Sequence, residues 1–462
     1  MTSWRPEIAG HPGPRYRAIA DAIAEDVAAG RLAPGTRLPT HRDLAWRLGV
    51  TVGTVTRAYA EAERRGLIGG EVGRGTFVRG QAPTPRRQEV EDRATPEILD
   101  LSIDQPSLGL LAEPVERTLR RLAGEMQVER TLRYHAHAGM RAQREAGARW
   151  LARAGISAAA ERVIVTSGGQ SGISLGLLAV AAAGDTVLVE SLTYPGVKAL
   201  AGTFGLRLQP VATDGDGLVP DAFEAACRAH RPRALYVMPN LHNPTLATMP
   251  EERRRRIAGI AREHEVTIVE DDVFGCMLDD PPPALAALAP GQTIHVTSLS
   301  KSLAPGLRIG FLTAPEALVA RVEQVMRSLS WMASPLAGEV ARTWIEDGTA
   351  ERVAEAQRRE TQARQALAAE ILGPIAEGTP ATAPHLWLGL PEPWRREEFG
   401  RALLRRGVKA AMADAFVVGR SPAPHAVRVN VTAPASRAEL ARGLEVVAEL
   451  LARPDMLMLS VV

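Results

Sequence analysis

Cysteine is almost missing from this chain: Cys227 and Cys276 are the only two, and neither sits in a Cys-x-x-Cys pair. Two isolated thiols make no disulfide scaffold, which fits a reducing, cytoplasmic setting. An excess of charge of one sign is missing too. A net charge of +2 over 462 residues excludes a polycation that coats nucleic acid, so any such contact must come from a local patch. The longest apolar run, around Leu177 to Ala183, is far too short to cross a bilayer. The opening MTSWRPEIAG lacks the charged-then-apolar build of a secretory signal, and no internal repeat is visible. The expectation is a cytoplasmic protein with no membrane contact.

What is present is length and alternation. A chain of 462 residues exceeds one ordinary domain. Residues 81–97, QAPTPRRQEVEDRATPE, combine prolines, mixed charges and almost no large apolar side chains, and read as a linker. Residues 12–80 read as a compact module. Residues 98–462 alternate strand and helix patterns, as an α/β domain does.

In the first module, RYRAIADAIAEDVAAG places Tyr16, Ile19, Ile23 and Val27 at helical spacing, with Gly30 to end the helix. Thr40 followed by Asp43 resembles a capping box, and Leu44 and Leu48 form the buried side of a short helix that Gly49 ends. Thr51 can cap a third helix, in which Val52, Val55, Tyr59 and Ala62 make an apolar stripe and Thr54, Arg57 and Arg64 are left on open faces. LIGGEVGRGTFV reads as two short strands around a Gly-rich tip that carries Arg74. This order is that of a winged helix-turn-helix. Its second helix of the pair would enter the major groove, with Thr51, Thr54 and Arg57 near bases or phosphates, Arg42 beside them and Arg74 on the wing. The stretch GRLAPGTRLPTHRDLAWRLGVTVGTVTRAYAEAERRGLI…GRGTFV closely resembles the GntR type of winged helix, which implies operator DNA as a partner.

In the second domain, four strands end in polar residues. ERVIVTSGGQ is a strand followed by a turn at Gly168, Gly169 and Gln170, whose free N–H groups suit a phosphate. ALYVMPNLHNPT ends in Asn240 and Asn243-Pro244, EVTIVEDDVFG in Glu270, Asp271 and Asp272, and QTIHVTSLSK in Ser298, Ser300 and Lys301. In open α/β sheets, ligands bind outside the carboxyl ends of the strands. A phosphate cradle, an amide, an acid and a lysine at one edge suit pyridoxal 5'-phosphate, which needs an amine, an acid against its ring nitrogen and a phosphate site. With these motifs, residues 98–462 resemble the fold-type I aminotransferases. The resemblance implies a large mixed α/β sheet domain with a smaller α/β domain beside it.

Position by position, the resemblance implies that Lys301 forms the Schiff base, Asp271 pairs with the ring nitrogen and Asn243 bonds the ring oxygen. It further implies that Tyr194 of SLTYPG stacks on the ring and that Gly168, Gly169, Gln170, Ser298 and Arg308 hold the phosphate. Tyr134 of RYHAHAG would reach the cofactor of a neighbouring subunit, and Arg428 of VRVNVTAP would grip a carboxylate. Three positions depart from the family pattern: Phe274 stands where a tyrosine is usual, Leu246 where a glycine is, and Gly169 where a Ser or Thr often is. His135, His137, His242 and His264 show no metal spacing and are read as structural. Arg253 to Arg256 are read as a solvated helix face, and Trp331, Trp344 and Trp387 as core or interface.

A GntR-type winged helix joined to an aminotransferase-like domain is the layout of the MocR/GabR regulators. The resemblance implies a head-to-tail homodimeric transcription regulator in which a small amino-compound effector displaces Lys301 by forming an external aldimine. Two other readings stay open. One is a working aminotransferase acting on amino acids, with an attached DNA-binding module. The other is a DNA-binding repressor whose second domain is only a scaffold.

Overall fold

Three helices open the chain in the computed structural model, which describes residues 4, 6, 14–33, 35–64, 67–71, 75–78, 98–125, 131–419 and 422–452. Backbone contacts divide the chain into two units, Met1–Pro96 and Glu97–Val462.

In the first unit, α1 is Arg15–Ala28, α2 His41–Leu48 and α3 Val52–Arg64, followed by the antiparallel strands β1 (Ile68–Glu71) and β2 (Gly75–Val78). The Thr40 side chain accepts the Asp43 N–H at 3.2 Å and so starts α2, and Gly49 at φ 63° ends it in the left-handed region. Ile19, Ile23, Leu44, Val55 and Ala62 are fully buried together. Each of the larger ones contributes roughly 1.5–3 kcal/mol by leaving water. Val52 departs from the expected stripe: it is the first residue of α3 and 45 % exposed. The helix-turn-helix and the β-hairpin are both present. Arg74, at the expected wing tip, lies outside the described residues.

The second unit is built on a seven-stranded sheet. Its strands are β3 (Val163–Thr166), β4 (Thr186–Glu190), β5 (Arg207–Val211), β6 (Ala234–Val237), β7 (Thr267–Asp271), β8 (Thr293–Ser298) and β9 (Gly310–Thr313). The order is β3-β9-β8-β7-β6-β4-β5. Only β9 runs antiparallel to its neighbours, so β3, β6, β7 and β8 all end at one edge. The strands read as continuous apolar runs because helices cover both faces.

Helix α4 (Gly169–Val180) packs unusually close to this sheet. A Cβ on Gly172 would lie 2.6 Å from Val296 Cγ1, and one on Gly176 would lie 3.2 Å from Val269 Cγ1. Glycines four residues apart share a helix face, so they let the helix settle onto β7 and β8 and fix where its first turn sits. A second core lies in a smaller lobe. There β10 (His385–Gly389), β11 (Ala411–Met412) and β12 (Ala426–Asn430) pack with the C-terminal helix Arg437–Ala452 through Leu386, Val427, Val429, Leu440 and Leu444.

Helix α5 (Glu251–Glu263) corrects one expectation. Arg254 does not belong to a solvated face; it is 0 % exposed. Its guanidinium donates to the carbonyls of Met249 (2.8 Å), Pro239 (3.1 Å), Pro282 and Pro283 (both 3.2 Å), and to Asn240 Oδ1. Those carbonyls come from irregular segments with no ladder of their own, and a five-donor fork satisfies them. Trp344 is core, whereas Trp331 is 41 % exposed.

Candidate functional site

Side chains alternate along a strand, so three consecutive acids cannot share one task. Glu270 accepts the backbone N–H groups of Leu285 (2.8 Å) and Ala286 (2.9 Å) and lies 3.0 Å from His295 Nδ1. Asp272 accepts from Asn240 Nδ2 at 2.7 Å. Asp271, between them, faces the other way. Its Oδ2 accepts a 2.6 Å hydrogen bond from Tyr236 Oη, and its buried Oδ1 has no hydrogen-bond partner among the described residues. Burial pushes this carboxyl up to about 6, against the Tyr236 hydrogen bond, which lowers it. Tyr236 was not expected at the site. It sits on β6, in register with Val269 of β7, and only strand pairing brings it there.

The turn after β3 carries Gly168 at φ 87°. A Cβ on Gly168 would lie 2.9 Å from Arg308 Nη2, so the guanidinium lies directly over the turn and donates to Ser167 O at 3.2 Å. Helix α4 starts at Gly169 with no side-chain cap, which leaves its first-turn N–H groups available to an anion. Gln170 Nε2 donates to Gly196 O at 3.1 Å, while its buried Oε1 has no hydrogen-bond partner among the described residues. Ser298 Oγ accepts the Ser300 N–H at 3.1 Å. The glycine at 169 has a local reason: a Cβ there would press on Val273 Cγ1 at 3.2 Å and Ser298 Cβ at 3.3 Å.

Lys301 lies in the turn three residues past the end of β8. Its Nζ donates to the main-chain oxygen of Asp104 at 2.6 Å and lies 5.9 Å from the centre of the Phe274 ring. Burial pulls its ammonium below the ordinary lysine value. The Tyr194 ring lies against Gly196, where any Cβ would collide with it, and burial, then Asp271, push its phenol up to about 12. Leu246 has φ 66°, a region that favours glycine, yet its buried side chain is held in the core.

Asn243 precedes a cis proline, and its Oδ1 accepts from Arg428 Nη1 at 2.8 Å. The same Nη1 lies 2.6 Å from Asp104 Oδ2, and Nη2 donates to Ser102 O at 2.5 Å. Asn430 Nδ2 donates to Asp104 Oδ1 at 2.8 Å, and His385 Nδ1 lies 3.3 Å from that oxygen. Burial works to raise the Asp104 carboxyl, but the Arg428 charge and then His385 hold it well below the usual carboxylate range. Asp104 is the second residue that sequence reasoning missed. It lies 324 positions from Arg428, and nothing in LSIDQP marks it out.

The structure therefore brings Gly168, Gly169, Gln170, Asn243, Asp271, Ser298, Lys301, Arg308, Arg428 and Tyr194 to one edge of the sheet. It leaves Tyr134 outside this cluster: that side chain is 80 % exposed and meets Trp331 edge-on at 5.6 Å. In the first unit, Arg42 and Arg57 are exposed. Thr51 Oγ1 caps α3 by accepting the Thr54 N–H at 3.2 Å and lies 2.9 Å from Thr54 Oγ1.

Comparison with known proteins gives two family matches. Residues 96–447 match the aminotransferase class I and II family, and residues 15–78 match the gntR family of bacterial regulatory proteins. The chain is 32 % identical over 449 residues to the uncharacterized HTH-type transcriptional regulator YdeF of Bacillus subtilis, covering 97 % of each protein. It is 28 % identical over 365 residues to the HTH-type pyridoxine biosynthesis transcriptional regulator PdxR of Corynebacterium glutamicum, covering 77 % of this chain and 78 % of that protein. Among solved structures, the kynurenine aminotransferase of Pyrococcus horikoshii, crystallised with PMP, superposes with a TM-score of 0.71 at 24 % identity. The match covers 78 % of this chain and 92 % of that one.

Proposed function

Because this chain belongs to the HTH-type transcriptional regulators that join a gntR-family domain to an aminotransferase class I and II domain, we propose that it carries pyridoxal 5'-phosphate at Lys301 and senses a small amino compound there. The observation that carries this reading is the unpartnered Oδ1 of Asp271. A buried carboxylate oxygen without a hydrogen bond is costly, and a protonated ring nitrogen would complete it. The open first turn of α4 under Arg308 fits the phosphate of the same molecule.

Pyridoxal phosphate, when bound, supplies an aldehyde that condenses with amines and a ring that withdraws electron density from them. The rest falls to the chain. Asp271 holds a proton on the ring nitrogen. Burial lowers the Lys301 ammonium and so favours the neutral, nucleophilic form of its amine. Gly168, Gly169, Gln170, Ser298 and Arg308 grip the phosphate, Tyr194 covers the ring, and Asn243 bonds its oxygen. Arg428 receives a carboxylate of the effector with its planar fork.

Arg42, Thr51, Thr54 and Arg57 face operator DNA, and Arg74 is assigned to the same task from its place in the sequence alone. The effector changes DNA binding only by favouring one of two arrangements of the protein. The exposed Leu132, Tyr134 and Trp331 support a homodimer interface at that face; the head-to-tail arrangement, with Tyr134 at the partner's site, is what the family resemblance implies. Among the described residues no helix is long and apolar enough to cross a membrane; the DNA-binding role is what supports a cytoplasmic location.

The test is to add pyridoxal phosphate to the purified chain and follow both visible absorbance and DNA affinity. A band that Lys301→Ala abolishes, and that an amino compound shifts together with DNA affinity, is the expected result. A wild-type chain without a band overturns the cofactor reading. Rapid multiple turnover of an amino donor with 2-oxoglutarate favours an enzyme instead.

A further inference from the structure

Between two anchors, the chain crosses the site as a short loop. On one side, Leu101 N–H donates to Lys409 O at 2.7 Å and Leu101 O accepts the Asn430 N–H at 2.8 Å. On the other, Gln357 holds both main-chain groups of Ser107, at 3.0 and 2.9 Å. Residues 102–106 between them have no regular secondary structure. Asp104, Gln105 and Pro106 line a cavity with Phe274 and Lys301.

What holds this loop down is the functional site itself. Arg428 pairs with the Asp104 carboxylate and bonds Ser102 O, Asn430 Nδ2 donates to the other carboxylate oxygen with His385 Nδ1 beside it at 3.3 Å, and Lys301 bonds Asp104 O. The side chains of Arg428 and Asp104 are 6 % and 5 % exposed. A guanidinium so buried cannot be left without an anion, because removing one member of such a pair strands the other charge in a dry interior. The carboxylate that Arg428 needs is thus already supplied from within the chain.

We propose that Asp104 is a built-in competitor for the effector's carboxylate, and that residues 102–106 form a latch which a carboxylate must displace from Arg428. The proposal rests on the reading of Arg428 as the effector's carboxylate site. It deepens that reading by setting a threshold and a class. An amine lacking a carboxylate leaves the Asp104–Arg428 pair intact. An amino acid exchanges its own carboxylate for that of Asp104 and frees the loop. A site held closed nine-tenths of the time binds its ligand about tenfold more weakly than an open one.

L-alanine and its decarboxylated counterpart ethylamine separate the two cases. In the chain loaded with pyridoxal phosphate, each is titrated by visible absorbance. Asp104→Asn is expected to bind L-alanine about tenfold more tightly, to leave ethylamine unchanged, and to lose the gain when combined with Arg428→Ala. Unchanged or weaker L-alanine binding, or an equal gain for ethylamine, overturns the proposal. A second measurement needs neither the variant nor the cofactor. Adding propionate to the cofactor-free wild-type chain is expected to speed hydrogen exchange at the amides of residues 102–105, with propionamide as the uncharged control. No acceleration overturns the latch. A missing absorbance band, by contrast, strikes only the cofactor reading.

Discussion

Tyr236 Oη donates a 2.6 Å hydrogen bond to Asp271 Oδ2, and the other oxygen of that carboxylate has no hydrogen-bond partner among the described residues. The phenol satisfies half of a buried acid and leaves the other half pointing into the site. The pair thus keeps an acid in a dry place with one lone pair in reserve.

A pH dependence follows from the same pair. Burial lifts the Asp271 carboxyl to about 6 in the folded, cofactor-free chain, above the unfolded value of about 3.9. Between about pH 4 and 6 the folded chain keeps a proton that the unfolded chain releases, so this group's contribution is fully present at low pH and is lost as pH rises through 6. Urea unfolding across that range should show the loss, and Asp271→Asn should remove it. Tyr236→Phe deletes the bond that lowers the carboxyl and should carry the loss to higher pH.

Gly168→Ala should weaken the phosphate site. The substitution puts a Cβ at φ 87° and 2.9 Å from Arg308 Nη2. A residue forced into such a region costs roughly 1–3 kcal/mol, and the guanidinium must move as well. Affinity for pyridoxal phosphate, and for inorganic phosphate as competitor, should fall by a factor of about ten or more. Fluorescence titration checks both. An unchanged affinity for either would place the cradle elsewhere.

Arg254 and Arg255 are neighbours with opposite fates. Arg254→Ala would strip the buried Met249 carbonyl and Asn240 Oδ1 of the Arg254 donor and should destabilise the chain by about 3–5 kcal/mol. Arg255 sits in solvent with Glu251 as its partner, and Arg255→Ala should change stability by less than about 0.5 kcal/mol. Chemical denaturation of the two variants side by side measures the contrast.

On the DNA side, Arg57→Ala should lower affinity for duplex DNA and reduce the salt dependence of log K by about one unit, as loss of one phosphate contact does. Fluorescence anisotropy at several salt concentrations reads both quantities. A variant that loses sequence preference but keeps the salt slope would place Arg57 on a base edge.

Local chemistry was readable in the sequence. Thr40 and Asp43 announce the start of α2, and Gly49 announces its end, because a cap and a left-handed residue act within one turn of chain. The apolar runs before Gly168, Asp271 and Lys301 are strands, and ligands gather at the carboxyl ends of parallel strands. The run of arginines misled for an equally physical reason. Periodicity shows which face of a helix is polar, but not whether another segment later supplies carbonyls to cover it, as happens to Arg254.

The sequence by itself determined the order of the parts: a winged helix, then an α/β domain whose strand ends carry Asp271, Ser298 and Lys301. Those features depend on neighbours a few residues apart. Only the tertiary structure decided which distant groups complete them. Tyr236 meets Asp271 through the register of two parallel strands, and Asp104 meets Arg428 across 324 positions. A buried charge or hydrogen bond takes its partner from whatever the packed core brings near, and that choice is made in space rather than along the chain.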